Sequence, residues 1–481
     1  MNLRFLSYLA AVVTVVVGVG MFASAVVSAA YGDSDLVALL ISGAVCLVIG
    51  APAYLLTRKA RVAYIGFREG FLGVTAAWIV ATVLGAIPFV LTGIFGPLDA
   101  LFESMSGFTT TGASVLSDYD QPHGIMFWRS LTQWYGGMGI VALFIALLPA
   151  TGGGAIRLFA AEAPGPSPER MTPRLRDTAK RLWYIYVGLS VVEVLILMAV
   201  GLGPFSAITH TFTTMATGGF SPEAASIGAY DSWSVELVIV VFMVLAGGNF
   251  ALYFALLSGR RRAILRDPEF RLYIGILVVS TCLIAASLMI AGSAAGVAQA
   301  FREAMFQTVS IQTTTGFATA DFEAWNSFAK LVLVLLMFIG GCAGSTAGGV
   351  KVVRLLLLGK NANGFLKKEV HPHAVIPVKL GGRVVPHHIL AAVLGLFCLW
   401  VAVFIVGTLL LSMTGESLVT SASAVAATLN VVGPGLEGVG PMANYAGIAP
   451  FGKLVLMGLM LVGRLELLAV FLPLTRAFWS R

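Results

Sequence analysis

The chain is organised around the segment Thr109-Thr110-Thr111-Gly112, because related segments return three more times along its length. They are Thr214-Met215-Ala216-Thr217-Gly218, Thr313-Thr314-Thr315-Gly316 and the more divergent Thr428-Leu429-Asn430-Val431-Val432-Gly433. Their glycines lie roughly 100 residues apart, and each segment follows a short amphipathic stretch and precedes a long apolar one. This spacing predicts an internal fourfold repeat, with four similar walls around one axis.

Loops of this composition can remove the hydration shell from a cation. Inward-pointing backbone carbonyls can replace water ligands, and glycine permits the unusual backbone angles that such a turn requires. A single loop of this kind is more often a polar turn between helices, but four at matched positions favour an ion filter. The predicted filter residues are Thr110, Thr111, Gly112, Ala216, Thr217, Gly218, Thr314, Thr315, Gly316, Asn430, Val431, Val432 and Gly433.

The composition places these loops in a membrane. Of the 481 residues, 58% are hydrophobic and only 11% are charged, which is typical of a polytopic membrane protein. The net charge of +7 is therefore no signal for nucleic-acid binding until its distribution is known. The four cysteines lie within apolar runs without paired spacing, so we interpret them as buried residues and not as disulfides or metal ligands.

The predicted fold is all-α, with an N-terminal helical hairpin at 1–57 and pore repeats at 70–149, 181–258, 270–358 and 387–476. Each repeat consists of an apolar helix, a short pore helix, a filter loop and a second apolar helix. The pore helices are predicted at 98–109, 205–215, 297–312 and 416–428, and the second helices at 126–148, 233–257, 328–339 and 451–474. The pore helices are too short to cross ~30 Å of hydrocarbon, so the pattern predicts ten spanning and four re-entrant helices.

The distribution of charge tests this topology. With a cytoplasmic N-terminus, all of the 30 basic residues lie in cytoplasmic segments except Arg129, Arg302, Lys330, Lys453 and Arg464, as the positive-inside rule requires. The outer segments carry Asp99, Glu103, Asp118, Asp120, Glu223, Asp231, Asp321, Glu323, Glu416 and Glu437. We therefore predict an acidic outer mouth that concentrates cations.

Three motifs give the chain a resemblance to a known family. They are Ser104-Met105-Ser106-Gly107-Phe108-Thr109-Thr110-Thr111-Gly112-Ala113-Ser114, Phe127-Trp128-Arg129-Ser130-Leu131-Thr132-Gln133-Trp134-Tyr135-Gly136-Gly137-Met138-Gly139 and Gly344-Ser345-Thr346-Ala347-Gly348-Gly349-Val350-Lys351. The chain resembles the Trk/Ktr/HKT superfamily of potassium-transport proteins in all four repeats. Its extra N-terminal hairpin makes it most similar to the Trk-type membrane subunit, although its fourth loop departs from the Thr-Thr-Gly pattern.

The resemblance implies that potassium is the transported ion and that the chain is a multi-pass protein of the bacterial cytoplasmic membrane. It also implies a homodimer that docks a cytoplasmic ring of nucleotide-binding RCK domains of the TrkA-like type, with no organic cofactor in this chain. In the plant HKT branch a serine in place of the first filter glycine accompanies sodium preference. By resemblance, Gly112 therefore favours potassium.

Other functions fit the sequence less well. We predict channel-like potassium uptake, with a secondary carrier coupling potassium to sodium or protons as the alternative, because broken helices and repeats also occur in carriers. An intramembrane enzyme is disfavoured, since the chain has no H-E-x-x-H motif and no Ser/His pair at membrane depth. The glycine-rich run at 344–351 lacks the order of a phosphate-binding loop, and the histidines at 371, 373, 387 and 388 lack a third clustered metal ligand.

A gate is predicted below the filter, where a glycine-rich run at 340–349 interrupts the second helix of repeat three. Non-helical backbone at membrane depth is tolerated where protein or a watery cavity surrounds it. The gate residues are Gly344, Ser345, Thr346, Ala347, Gly348 and Gly349, together with Arg464. We expect Arg464 near the middle of its helix, where it obstructs the pore electrostatically or holds the loop. The alternative is an arginine bonded to the helix-end carbonyls of a pore segment.

Two further features are left open by the sequence. Glu193 lies within an apolar helix, where it either has a function or bonds to a Ser, Thr or Arg of a neighbouring helix. Glycine pairs recur after the filters at 136–137, 247–248 and 340–341. Close helix packing is the favoured interpretation of these pairs, and a hinge or pore-lining role is the second.

Overall fold

The computed structural model describes residues 3–58, 67–147 and 172–480, and within this part the protein is built of helices. Its one sheet is a two-stranded antiparallel ribbon, Lys379–Leu380 with Arg383–Val384. The predicted basic residues Lys59, Arg61, Arg157, Arg170 and Arg481 lie outside the described residues, as do the ends of the predicted segments 1–57 and 70–149. The predicted all-α fold is confirmed.

Six described helices are long and apolar enough to cross a membrane, and two bent helix pairs raise this number to eight if each pair is one span. The six are Leu3–Tyr31, Leu36–Thr57, Arg68–Leu91, Lys180–Ala199, Pro268–Ile290 and His387–Ser412. Large apolar side chains such as Val48 and Ile290 are exposed on their outer faces, as expected for surfaces in contact with lipid. A multi-pass membrane protein is therefore confirmed, while the number of ten spans stays a prediction.

The N-terminal hairpin packs on repeat one and positions its second helix, His123–Leu147. Asp33 and Asp35 lie in the turn of the hairpin, and their carboxylates accept hydrogen bonds of 2.6 Å from the backbone N–H groups of His123 and Ile125. The first N–H groups of a helix have no partner within it, and a carboxylate there also complements the positive end of the helix dipole. The hairpin thus caps the helix that leads away from the first filter loop.

The four pore helices are Pro97–Phe108, Pro204–Met215, Val297–Gln312 and Leu418–Leu429. Proline at the first turn starts the first two, because its missing N–H would have no partner there. Twelve residues give a helix of ~18 Å, which is shorter than the hydrocarbon core. All four run towards the centre of the molecule, where their last turns are buried.

The second helices of repeats two and four differ from the prediction, which had each as one continuous helix. In repeat two the chain bends by 99° between Trp233–Gly247 and Phe250–Leu257, and in repeat four it bends by 112° after Pro450–Arg464. In repeat three the interruption was predicted, and it separates Ser327–Ile339 from Val352–Val370. Three of the four second helices are thus broken at a similar depth below the filter loops.

Candidate functional site

The four loops that follow the pore helices repeat one backbone conformation. In each, the second residue after the helix is left-handed although it is not glycine, and the residue two positions later is a left-handed glycine. The first set is Thr110 (φ 56°), Thr217 (φ 54°), Thr314 (φ 58°) and Val431 (φ 62°), and the second is Gly112 (φ 81°), Gly219 (φ 74°), Gly316 (φ 82°) and Gly433 (φ 101°). Left-handed β-branched residues cost of order 1–3 kcal/mol each and persist where the surrounding structure enforces them.

This pattern corrects the register of the second loop by one residue. The predicted filter there was Ala216, Thr217 and Gly218, but the counterpart of Gly112 is Gly219. Ala216 instead ends the pore helix as its C-cap, the position that Thr109 occupies in repeat one. Two adjacent glycines made the sequence ambiguous, and the distance from the helix end resolves it.

The four loops contact one another in cyclic order. A β-carbon on Gly112 would come closer than 3.0 Å to the carbonyl oxygen of Gly218 in the second loop. The equivalent close approaches are Gly219 to the oxygen of Thr315, Gly316 to that of Val432 and Gly433 to that of Thr111. The four left-handed glycines also line one cavity on the outer side of the loops. The loops therefore surround a common axis, and only glycine fits at these four contacts.

Side chains outside the ring hold the second and fourth loops. The amide of Gln133 donates to the carbonyl of Gly218 at 2.8 Å and accepts from the N–H of Phe220 at 3.1 Å. The hydroxyl of Tyr445 donates to the carbonyl of Gly433 at 2.7 Å. Burial raises the pKa of Tyr445 far above its usual range, so this phenol stays a hydrogen-bond donor. Sequence reasoning gave neither residue a role in holding the loops. Gln133 lies in the repeat before the loop that it holds, and Tyr445 lies in the same repeat as its loop.

Two side-chain oxygens of the loops have no hydrogen-bond donor in the described part of the chain. The hydroxyl of Thr110 and the side-chain oxygen of Asn430 are buried, and among the described residues neither has a hydrogen-bond partner. Neighbouring hydroxyls are paired instead, with 2.8 Å between Thr109 and Thr111 and the same distance between Thr313 and Thr315. Buried oxygens without a donor are unfavourable by ~1–3 kcal/mol each unless a ligand or water occupies the space beside them.

A buried ion pair joins the first two loops on their outer side. Arg129 bonds to Glu103 at 2.6 Å and donates to the carbonyl of Ser221 at 2.8 Å, while its guanidinium stacks on Phe220 at 3.7 Å from the ring centre. Glu103 also accepts from the N–H of Val115 at 2.9 Å. A buried pair of this kind is held in place by its full set of hydrogen bonds, so it fixes the two loops relative to each other.

The basic residues at the predicted outer mouth are all paired with acids. Arg129, Arg302, Lys330 and Lys453 bond to Glu103, Glu236, Glu323 and Asp99 at 2.6 to 2.8 Å. Burial opposes ionisation of Glu323, but the Lys330 ammonium and the N–H of Glu437 outweigh it and lower the pKa of this carboxyl. Two of the pairs join neighbouring repeats, Asp99 with Lys453 and Glu236 with Arg302. These outer charges therefore hold the repeats together as well as setting the local potential.

The gating loop, residues 340–351, lies directly beneath the filter loops. The hydroxyl of Thr346 donates to the carbonyl of Met215 at 3.0 Å, at the end of the second pore helix. The N–H of Gly348 donates to the hydroxyl of Thr314 at 2.7 Å, in the third filter loop. A β-carbon on Gly348 would come closer than 3.0 Å to the carbonyl oxygen of Asn430. Three of the four filter loops or their pore helices are thus in contact with the gating loop.

The bend in the second helix of repeat two exposes backbone groups that bond to the gating loop. It leaves the carbonyls of Ala246 and Gly247 without helical partners, and they accept hydrogen bonds from the N–H groups of Thr346 at 3.3 Å and Cys342 at 2.9 Å. In return, the carbonyl of Gly344 accepts from the N–H of Phe250 at 3.2 Å. Backbone groups freed at membrane depth must find partners in the protein, and here two interruptions satisfy each other.

Arg464 lies at the end of a helix and not, as predicted, at the middle of one. Its guanidinium is 3% exposed and donates to the carbonyl of Thr346 at 2.9 Å and to that of Gly136 at 2.7 Å. The acceptors belong to the gating loop and to the second helix of repeat one, so the alternative of bonding to a pore helix is wrong. The chain turns sharply after Arg464, with left-handed Glu466 and Leu467.

Of the three predicted glycine pairs, 136–137 packs closely against a pore helix, whereas 247–248 and 340–341 lie where their helices break. A β-carbon on Gly136 would come closer than 3.0 Å to the carbonyl of Phe108, and one on Gly137 would approach Ala216 equally closely. Gly463 has the same relation to the carbonyl of Leu429. These contacts place second helices directly against the ends of the pore helices.

Glu193 is fully buried, and neither of its carboxyl oxygens has a hydrogen-bond partner among the described residues. Thr214 lies beside it, but the hydroxyl of Thr214 donates to the carbonyl of His210 at 2.7 Å. Thr214 is therefore the hydroxyl neighbour that the sequence offered for Glu193, although no donor in the described part of the chain bonds to the carboxyl group. The described histidines, cysteines and acids also contain no group of three that could hold a metal ion.

Comparison with known proteins shows that the chain is similar to potassium transporters along its length. The family model of TrkH cation transport proteins matches residues 36–478. The chain is 43% identical over 440 residues to the Trk system potassium uptake protein TrkH of Escherichia coli K12, covering 90% of both chains. It is 38% identical to the Halomonas elongata protein of the same name, covering 100% of both chains. The crystal structure of the potassium transporter TrkH from Vibrio parahaemolyticus matches with a TM-score of 0.91 and 39% identity over 100% of both chains.

These similarities confirm the predicted superfamily and a membrane transporter that is not an enzyme. They extend through all four repeats and the N-terminal hairpin. The chain belongs to the TrkH family of cation transport proteins, a Trk-type branch of the superfamily that its motifs resemble.

Proposed function

We propose that this protein takes up potassium ions through a channel-like pore whose selectivity filter is the ring of four loops. The observation that carries the proposal is the ring itself, in which four identical backbone turns meet in cyclic order at glycines that no other residue can replace. Potassium uptake is the named function of the relatives with which the chain shares its full length. Carbonyl and hydroxyl oxygens of these loops substitute for the hydration shell of the ion.

The filter alone does not close the pore, so the proposed function includes a gate. Residues 344–349 and Arg464 occupy the space beneath the filter, where the loop contacts Met215, Thr314 and Asn430. Arg464 joins the loop to repeat one and places a positive charge under the filter without a carboxylate partner within 4.0 Å in the described residues. The loop obstructs the conduit sterically, and Arg464 holds it there and repels cations.

A carrier that couples potassium to sodium or protons remains the competing function. Carriers of the common kind are built from inverted repeats, whereas here four repeats present their pore helices and loops in one orientation. The ring has one axis and one outer cavity, and the gating loop lies on its other side. These features favour passive conduction down the electrochemical gradient.

Ion flux in liposomes distinguishes the two functions. For the purified protein in vesicles, we expect potassium flux that follows the potassium gradient and the membrane potential, without sodium, a proton gradient or ATP. The measurement is the reversal potential under bi-ionic potassium and sodium conditions, with empty vesicles as the control. A reversal potential that shifts with an imposed proton or sodium gradient at fixed potassium would instead identify a coupled carrier.

The proposed assembly places the N-terminus on the cytoplasmic side of a bacterial cytoplasmic membrane. The exit helix Val352–Val370 carries Lys367 and Lys368 at its exposed end and is followed by the short ribbon at 379–384. With the basic residues at 260–271, it forms a cytoplasmic surface suited to the acidic face of a partner. We propose that the protein is a homodimer and that this surface docks a ring of nucleotide-binding RCK domains.

Purification from native membranes tests the assembly. We expect the chain to co-purify as a dimer with an RCK-domain protein, and its flux to change when nucleotide is added. Charge reversal of Lys367 and Lys368 to glutamate should weaken this association, because it removes the attraction without touching the pore. Native complexes that lack a cytoplasmic partner, together with flux that is independent of nucleotide, would contradict the docking proposal and leave lipid contact as the role of these charges.

A further inference from the structure

A carboxylate outside the pore bonds to the backbone on both sides of the gate residues 344–349. Glu269 lies in the first turn of the helix Pro268–Ile290, and it is 4% exposed. Its Oε1 atom accepts hydrogen bonds from the N–H of Ala343 at 2.6 Å and from the N–H of Val353 at 3.2 Å. Ala343 stands immediately before the gate residues and Val353 shortly after them. One oxygen atom therefore spans the base of the loop.

The bond to Val353 also caps the exit helix. Val353 is in the first turn of Val352–Val370, and the N-cap residue of this helix, Lys351, forms no side-chain cap. The first N–H groups of a helix need acceptors from elsewhere, and a carboxylate at this end is further favoured by the helix dipole. Glu269 supplies that acceptor from the first helix of the same repeat. The exit helix and the gating loop are thus anchored by the same side chain.

The backbone at the start and end of the gating loop is strained, and other contacts must hold it in place. Lys351 is left-handed (φ 76°) although it is not glycine, and its ammonium group turns back to the carbonyl of Ala347. Gly340 and Gly349 are left-handed as well, and their backbones touch each other at the neck of the loop. Residues held in such conformations persist only where surrounding contacts outweigh their cost. The two hydrogen bonds to Glu269 are contacts of this kind.

We propose that Glu269 is a positioning residue that holds the gating loop in its obstructing conformation, so that opening requires the loss of its bonds to Ala343 and Val353. The inference rests on the proposed role of residues 344–349 as the gate. It assigns the hold on the loop from within repeat three to Glu269, while Arg464 holds the loop from the neighbouring repeat four. A cytoplasmic partner that displaced the exit helix would break the bond between Val353 and Glu269 before the displacement reached the filter.

The test compares potassium flux of full-length variants in liposomes. Glu269→Ala should raise basal flux about 10-fold, which corresponds to ~1.4 kcal/mol in the equilibrium between closed and open loops. Glu269→Gln keeps an oxygen at the same place and should restore most of the closure. Asp267→Ala is the matched control, because Asp267 caps the start of the same helix by bonding to the N–H of Phe270 at 2.8 Å. This control should leave basal flux unchanged.

The background without residues 344–348 separates the possible outcomes. In that background Glu269→Ala should have no further effect, since nothing remains for the carboxylate to hold. An unchanged flux for Glu269→Ala in the full chain, while the loop deletion raises flux, would overturn the role of Glu269 and leave the gate intact. If the deletion itself has no effect, the proposed gate fails. If Glu269→Ala does not fold, Glu269→Asp tests the proposal instead. The shorter aspartate side chain cannot reach both N–H groups, so this variant must also raise flux.

Discussion

Replacing Gly112 by serine should reduce the preference for potassium over sodium at least ~10-fold, because the new side chain has no room at the ring. Gly112 has φ +81°, and a β-carbon there would meet the carbonyl oxygen of Gly218 closer than 3.0 Å. Both the left-handed strain and the displaced carbonyl alter the oxygens that are proposed to bind the ion. The measurement is the reversal potential under bi-ionic conditions.

The control for this variant isolates the effect of the ring from that of the backbone angle. Gly93 has φ +74°, but a β-carbon there would meet nothing within 4 Å. Gly93→Ser therefore carries the same kind of strain without a neighbour to displace, and its selectivity should match that of the unaltered protein. Gly219→Ser should behave as Gly112→Ser does, since it approaches the carbonyl of Thr315 in the same way. Wild-type reversal potentials in folded Gly112→Ser would falsify the filter assignment.

Removal of residues 344–348 should raise potassium flux by ~10-fold or more and make it independent of any cytoplasmic partner. The deletion removes the Thr346 hydroxyl that bonds to Met215 and the Gly348 backbone that contacts Thr314 and Asn430 beneath the filter. Several hydrogen bonds of ~1 kcal/mol each favour the obstructed state, and all are lost together. The measurement is potassium flux per protein in liposomes, with a monodisperse elution profile and thermal unfolding as evidence of folding.

Two substitutions of Arg464 separate its possible contributions to the gate. Arg464→Ala should raise flux because it removes both the charge and the bonds to Thr346 and Gly136. Arg464→Lys keeps the charge but loses the planar fork that reaches two carbonyls in different repeats. Low flux in the lysine variant indicates that the positive charge is the barrier. High flux indicates that closure depends on the bonds to Thr346 and Gly136. A folded loop deletion with wild-type flux would instead place the gate elsewhere.

Local patterns in the sequence were sufficient for much of the fold. The third pore helix begins and ends where it was predicted, and the other three differ from prediction by two residues or fewer, because their starts carry proline, glycine or serine and their ends carry the threonine-rich loops. The broken helix of repeat two was missed because its apolar run continues across the break, and that of repeat four because apolar residues flank Arg464 and Glu466 on both sides. Gly248 and the N-cap Asn249 are the only local signals at the first of them.

The parts of the site that depend on tertiary contacts could not be predicted. The register of the second loop requires the position of the helix end, since Gly218 and Gly219 are equivalent by composition. The pairing of Asp99 with Lys453 joins residues far apart in the chain, so no local pattern indicated it. Glu269 resembled an ordinary first-turn acid, because nothing local shows that its carboxylate points to Ala343.

In the proposed pore, the bond between Gly348 and Thr314 would make ion occupancy and gate closure antagonistic. The N–H of Gly348 directs its positive end at a hydroxyl on the inner edge of the proposed filter, 2.7 Å away. A cation resting beside that hydroxyl is disfavoured while the N–H is there, and by thermodynamic reciprocity the cation disfavours the N–H by the same factor. Potassium is then both the cargo and a ligand that favours the open state. The open probability should therefore rise with potassium concentration even without a cytoplasmic partner.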